Sequence, residues 1–195
     1  MIAPAGAFID RDGVINELVP DPATGRPESP LRVEDAALMP GAAEALRRLT
    51  DAGWPLIGVS NQPAAAKGLI PLARLWAIQD RVLELLAAEG VTFEDFRVCL
   101  HHPEGTVPEL TGTCDCRKPA PAMLVAAAAD RGLDLARSWM VGDTDSDVLA
   151  GRAAGCRTVL VENPGSAHKR TGGVRSDGVA GDLVTAADFI LGGKG

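Results

Sequence analysis

Short apolar runs alternate with longer amphipathic stretches along this chain. Ala7-Phe8-Ile9, Leu56-Ile57-Gly58-Val59, Trp139-Met140-Val141 and Thr158-Val159-Leu160-Val161 each stop at a loop or a polar residue. Phe96-Arg97-Val98 and Phe189-Ile190-Leu191 supply a fifth and a sixth run. Runs this short, without polar alternation, suit strands covered on both faces. Helical patterns lie between them. Residues 41–52 place Ala42, Ala45, Leu46 and Leu49 on one face, and Gly53 can supply a left-handed C-terminal stop. Leu72, Leu75, Trp76, Gln79, Val82 and Leu86 form a longer stripe, opened by Pro71 and closed by Gly90. Residues 121–130 are rich in Ala, and residues 146–154 end at Gly155; both predict helices. Alternation of this kind predicts an α/β fold, a Rossmann-like parallel sheet with helices on both faces.

Between these elements, residues 20–30 are rich in Pro, Asp and Gly and predict a surface loop or flap. Residues 166–182 are Gly-rich and charged and predict a mobile segment. Residues 13–40 are too few for an independent cap. Residues 61–118 are largely taken up by one helix, one strand and a Cys-containing loop. The expectation is one domain over residues 1–195, without a large cap and with a loop insertion at about residues 99–116. No internal repeat is visible, and 195 residues bury a sufficient core without covalent staples.

In parallel sheets, ligands bind beyond the C-terminal ends of the strands. The residues that follow the apolar runs therefore matter. Asp10-Arg11-Asp12-Gly13 follows the first run. Positions i and i+2 of extended chain point the same way, and two close carboxylates repel unless a cation or proton lies between them. Alone, such a pair is also what a solvated acidic loop shows. Ser60-Asn61-Gln62 follows the second run; Ser60 and nearby backbone N–H groups can hold phosphate oxygens, whereas Gln62 reads as part of a polar turn. Arg117-Lys118-Pro119 precedes the third helix, and alone reads as a solvated cation pair. Gly142-Asp143-Thr144-Asp145-Ser146-Asp147 follows the Trp139 run; Asp143 sits at the strand exit, and Asp145 or Ser146 can cap the next helix.

Charge and cysteines narrow the picture. A net charge of -7 disfavours nucleic-acid binding. No apolar run reaches the ~20 residues that span a bilayer. Residues 1–9 lack a basic segment and a cleavage site, so a cytoplasmic protein is expected. Cysteines in that compartment stay reduced, and a cluster of them points to metal. Cys99, His101, Cys114 and Cys116 offer three thiols and an imidazole, the donor set of a closed tetrahedral zinc site, with His102 as the alternative to His101. Cys156 opens a strand and reads as core.

Taken in order, D-x-D-G, S-N, K-P and G-D-x-x-x-D resemble the haloacid dehalogenase (HAD) superfamily of phosphatases over about residues 7–162. The Cys99–Cys116 loop, with Asp10-Arg11-Asp12-Gly13-Val14-Ile15-Asn16 before it and Cys114-Asp115-Cys116-Arg117-Lys118-Pro119 at its end, is similar to the D-glycero-D-manno-heptose 1,7-bisphosphate phosphatases and the related histidinol phosphatases. The resemblance implies a magnesium-dependent phosphatase in which Asp10 attacks phosphorus and Asp12 serves as acid and base. It implies magnesium on Asp10, the Asp12 carbonyl and Asp143, with Ser60, Asn61 and Lys118 around the phosphate and Arg117 on a second phosphate. Asp147 orients Lys118 or metal-bound water, and zinc fixes the loop. It further implies a small phosphorylated sugar as substrate and a monomer. Ser60-Asn61-Gln62-Pro63-Ala64 stands where the family usually has Thr-Asn-Gln-Ser-Gly, and Lys67-Gly68 stands where it tends to have Arg-Gly. These departures bear on the substrate, because the carboxylates are intact.

Overall fold

Ala7, Phe8 and Ile9 have no solvent exposure and form the central strand of the molecule. The computed structural model describes residues 3–192, so residues 1–2 and 193–195 of the expected 1–195 domain lie outside the described residues. Six strands make one parallel sheet: β1 (Ala7–Ile9), β4 (Leu56–Asn61), β5 (Asp95–Cys99), β6 (Trp139–Gly142), β7 (Arg157–Val161) and β8 (Gly178–Ala180). Their order is β5-β4-β1-β6-β7-β8. Phe8 sits opposite Ile57 on one side and Met140 on the other.

Side-chain alternation along β1 divides the core into two layers. Ala7 and Ile9 pack with α1 (Ala42–Asp51), α5 (Leu183–Gly192) and the second half of α2 (Leu72–Ala88). Phe8 packs on the other face with α3 (Ala122–Arg131) and α4 (Asp145–Ala154). Fully burying one such large apolar side chain contributes roughly 1.5–3 kcal/mol. Helices thus cover both faces, as the apolar runs predict. None of the described helices is long and apolar enough to cross a membrane.

The chain leaves β1 for β4 and β5 on one side, then crosses to β6 on the other. That reversal opens a crevice above the C-terminal ends of β1, β4 and β6. Between β1 and α1, the described residues contain the antiparallel hairpin β2 (Val19–Pro20) and β3 (Pro27–Glu28) and a 3-10 turn at Val33–Asp35. The expected flap is this hairpin, with its turn held by Asp21 Oδ1, which accepts from the Ala23 and Thr24 amides.

Two expectations are corrected. Phe189-Ile190-Leu191 is helical, inside α5. Its buried positions Leu183, Ala186, Ala187 and Ile190 follow the helical spacing, while Phe189 faces outward; a run of three cannot show that period. The sixth strand is β8, which lies in the stretch expected to be mobile. Residues 166–182 also contain most of the 3-10 segment Pro164–Lys169. The Asp177 carboxylate fastens this stretch to the sheet, accepting from the Thr158 amide at 2.8 Å and its hydroxyl at 2.9 Å.

Candidate active site and metal centre

Asp10 is the first residue after β1, and its amide donates to the Val141 carbonyl at 2.9 Å. Lys118 reaches it from the loop before α3: Nζ lies 2.8 Å from Asp10 Oδ1 and 2.6 Å from Asp147 Oδ1, and donates to the Val59 carbonyl at 2.7 Å. Asn61, ending β4, clamps the Lys118 backbone, accepting from its amide at 3.0 Å and donating to its carbonyl at 2.9 Å. Asp147 lies in the first turn of α4, where Oδ2 accepts from the Thr144 amide and hydroxyl as part of a capping box. One carboxylate thus starts the helix and fixes Lys118. Asp145 faces away, accepting from the Thr171 amide and hydroxyl, both at 2.7 Å.

Carboxylate oxygens of Asp10, Asp143 and Asp147 lie within 4.8 Å of one another, and all three residues are buried. Burial and the neighbouring charge of Asp147 push the Asp10 carboxyl up to about 7, although Lys118 pulls the other way. Burial, then Asp10 and Asp147, raises Asp143 well above the carboxylate range. Asp143 Oδ1 is buried without a hydrogen-bond partner. A crowded, all-oxygen, under-satisfied set of this kind fits a hard dication. Of the expected magnesium ligands, the Asp10 and Asp143 carboxylates lie together in this cluster with Asp147; from Asp12 the expected ligand is the backbone carbonyl, not the carboxyl group. Gly13, at φ +81°, lets the loop lie on Asp143, because a side chain there would overlap the Asp143 carboxylate.

This crowding has a pH signature. In metal-free protein, folded Asp10 keeps its proton up to about 7, while the unfolded chain gives it up near 3.8. Its stabilising contribution is complete below 3.8 and is lost as pH rises through about 7. Thermal melts in chelator should show stability falling across that window, and Asp143→Asn should flatten the fall. An equal slope in wild type and variant would count against carboxylate crowding.

Asp12 is bound entirely by donors. Arg11 Nη2 lies 2.9 Å from Oδ1, Asn16 Nδ2 donates to Oδ1 at 3.0 Å, and Ser29 Oγ donates to Oδ2 at 2.9 Å. Gln62 Nε2 donates to Oδ2 as well, and to Ser60 Oγ at 2.9 Å. Burial works against the Asp12 charge, but Arg11 and these hydrogen bonds outweigh it and hold the carboxyl below its ordinary value. Arg11 is itself buried and anchored by Gln79 Oε1 at 3.0 Å. The reading of Gln62 as part of a polar turn is corrected, since its amide is buried and ties Asp12 to Ser60. Ser29 carries no motif, and only its place in the flap pointed toward the site.

The second cluster lies beside the first. Cys116 Sγ is 3.1 Å from Cys99 Sγ, 3.2 Å from Cys114 Sγ and 3.4 Å from His101 Nδ1. Cys99 and Cys114 are 3.6 Å apart. These separations are near the ~3.8 Å edge of a tetrahedron with 2.3 Å metal–sulfur bonds. Of the two histidines, His101 belongs to the cluster, whereas His102 Nδ1 accepts from the Glu104 amide at 3.1 Å. Cys99 ends edge strand β5 and is fully buried, so the sheet anchors the loop. Cys156 packs in the α3–α4 layer, apart from the cluster, as expected of a core residue. Arg117 Nη1 donates to the His101 carbonyl at 3.3 Å, linking the cluster to the Arg117-Lys118 pair.

A cavity of about 360 Å³ opens over these groups. Its lining includes Asp10, Asp12, Ser60, Lys118 and Asp143, and also Lys67, Arg117 and, from the hairpin and the segment after β7, Glu28 and Lys169. The sequence gives no signal for Glu28 or Lys169, which come together only through tertiary packing.

Comparison with known proteins agrees with this geometry. A HAD-hydrolase-like family model matches residues 115–186. The D-glycero-D-manno-heptose-1,7-bisphosphate 7-phosphatase of Thermosynechococcus vestitus is 40% identical over 191 residues, covering 94% of this chain and 93% of that protein. The D-glycero-beta-D-manno-heptose-1,7-bisphosphate 7-phosphatase of Rhodopseudomonas palustris is 39% identical, covering 76% of this chain and 78% of that protein. Among solved structures, the D,D-heptose 1,7-bisphosphate phosphatase of B. bronchiseptica, complexed with magnesium and phosphate, superposes with a TM-score of 0.80 at 30% identity, covering 96% of this chain and 98% of that chain. With 40% identity sustained over 94% of its length, the chain belongs to the D-glycero-D-manno-heptose-1,7-bisphosphate 7-phosphatase family of HAD-like hydrolases.

Proposed function

We propose that this protein is a magnesium-dependent phosphatase that hydrolyses the 7-phosphate of D-glycero-D-manno-heptose 1,7-bisphosphate. The observation that carries the reading is the buried Asp10–Lys118–Asp143 group at the floor of a cavity of about 360 Å³, room enough for a sugar bisphosphate. Asp10 Oδ attacks phosphorus and forms an aspartyl-phosphate as the sugar oxygen leaves. Asp12 protonates that oxygen, then takes a proton from the water that hydrolyses the intermediate. To donate, Asp12 must first take up a proton from solvent and leave the donor set that favours its anion. Lys118 and the Ser60 hydroxyl hold the transferring phosphoryl oxygens, and Asn61 keeps Lys118 in place. Arg117 faces the second phosphate.

Asp10, the Asp12 carbonyl and Asp143 would hold magnesium, which supplies charge neutralisation for carboxylate and phosphate together. Asp147 orients Lys118. Cys99, His101, Cys114 and Cys116 would hold zinc, with a structural role. We place the enzyme in the cytoplasm as a monomer acting on a free sugar phosphate.

A phosphate-release screen tests the assignment, using both anomers of the heptose bisphosphate, histidinol phosphate and fructose 1,6-bisphosphate with magnesium. One heptose anomer should lead in kcat/KM by on the order of tenfold or more, the discrimination that one or two buried polar contacts supply. Equal rates on all four would sink the heptose assignment, and a lead for histidinol phosphate would replace it.

A further inference from the structure

The cavity contains a cation that the chemistry above does not use. Lys169 lies in the 3-10 segment after β7 and contacts the cavity, as does its partner Glu28, on hairpin strand β3. Lys169 Nζ is 2.6 Å from Glu28 Oε2, and His168 Nε2 is 3.5 Å from Oε1 of the same carboxylate. Lys118 and Lys169 are held very differently. The Lys118 side chain is 2% exposed and bound by two buried carboxylates, which commits it to the reacting phosphate. The Lys169 and Glu28 side chains are 32% and 41% exposed, so solvent screens their attraction and the pair is readily exchanged.

We propose that Lys169 is a specificity-determining residue: it exchanges Glu28 for the non-reacting phosphate of a bisphosphorylated substrate. A phosphate dianion is a stronger acceptor than a half-exposed carboxylate, so the exchange favours substrates that carry a second phosphate. Glu28 keeps His168 beside it when Lys169 turns away. Arg117 and Lys67 also line the cavity, so the second phosphate meets cations from more than one loop. Glu28 has a complementary part. Without a second phosphate it neutralises Lys169, so a monophosphate gains less from this lysine. The inference rests on the phosphatase reading and deepens it.

The test compares wild type, Lys169→Met and Glu28→Gln on two matched pairs: heptose 1,7-bisphosphate with heptose 7-phosphate, and fructose 1,6-bisphosphate with fructose 6-phosphate. In Lys169→Met, the ratio of kcat/KM for bisphosphate over monophosphate should fall on the order of tenfold, mainly through bisphosphate KM, as loss of one charge-assisted hydrogen bond predicts. In Glu28→Gln, bisphosphate KM should fall, because Lys169 is freed. A ratio unchanged in Lys169→Met, or equal losses on both members of a pair, overturns the proposal. Thermal melts accompany the kinetics; if Lys169→Met does not fold, Glu28→Gln decides, and an unchanged or higher bisphosphate KM there overturns it. A wild type inert on both heptose phosphates refutes the heptose assignment while the fructose pair still reads Lys169. A wild type without bisphosphate preference on either pair overturns the proposal.

Discussion

Asp10→Asn protein should fold normally and lose turnover, with kcat down by about 10⁴-fold or more, the scale of nucleophile removal in covalent catalysis. An amide has nearly the shape of a carboxylate, but its neutral oxygen is too weak a nucleophile to attack phosphorus. Its carbonyl oxygen still accepts from Lys118, whose ammonium lies 2.8 Å from Oδ1 in the native site. The substitution also removes one of three crowded acids, so the melting temperature in chelator should hold or rise at pH above about 7, where native Asp10 is forced to ionise. Lost activity with retained stability is therefore the combined signature. Near-native phosphate release by this variant would remove Asp10 from the mechanism.

Cys116→Ser should produce the second-largest change, in stability as well as rate. Cys116 lies within 3.4 Å of each of the other three cluster atoms, and it directly precedes Arg117 and Lys118. Structural zinc contributes ~10–16 kcal/mol of apparent binding energy in small peptides, and zinc bound at this cluster would put part of that into residues 99–116. Losing even ~4 kcal/mol in a chain of this length lowers the melting temperature by about 10 °C. Without its anchor, the Arg117-Lys118 pair should lose its aim, and kcat should fall roughly 10²-fold, since misplacement of about 1 Å can cost that much. Elemental analysis should find about one zinc per wild-type chain and less in the variant. Wild-type melting temperature and kcat after complete chelation of zinc would show that the cluster has no structural role.

How much of this could be read from the sequence depended on where each residue sits. Asp10, Ser60 and Asp143 stand where apolar runs stop, and parallel-sheet geometry gathers strand ends. Lys118 alone read as half of a solvated cation pair and became legible only through the order of the motifs; the Asn61 clamp on its backbone is a tertiary contact. The cysteine loop was legible through donor chemistry, and its choice of His101 needed coordinates. Gln62 was missed because an amide in a turn has no pattern, and its role arises only when Asp12 folds over it. Glu28, Ser29 and Lys169 were missed because a two-residue strand with the residue after it, and a short 3-10 segment, are too brief to show a period. The Phe189 run failed for a different reason: three apolar residues fit a strand or one turn of helix equally well.

The floor of the cavity also has a consequence for the order of binding. When Asp10, Asp143 and Asp147 are ionised, three negative charges face one ammonium, Lys118, and the floor carries two net negative charges. A phosphate dianion approaching that floor is repelled in a setting where water screens little. Once those two charges are offset, the same floor becomes a receptor for the dianion. A divalent cation held there and phosphate would therefore be positively cooperative ligands, each raising the other's affinity by one shared factor, as linkage requires. Phosphate would then dissociate most easily after the cation has gone, and product escape and cation exchange would be one coupled equilibrium.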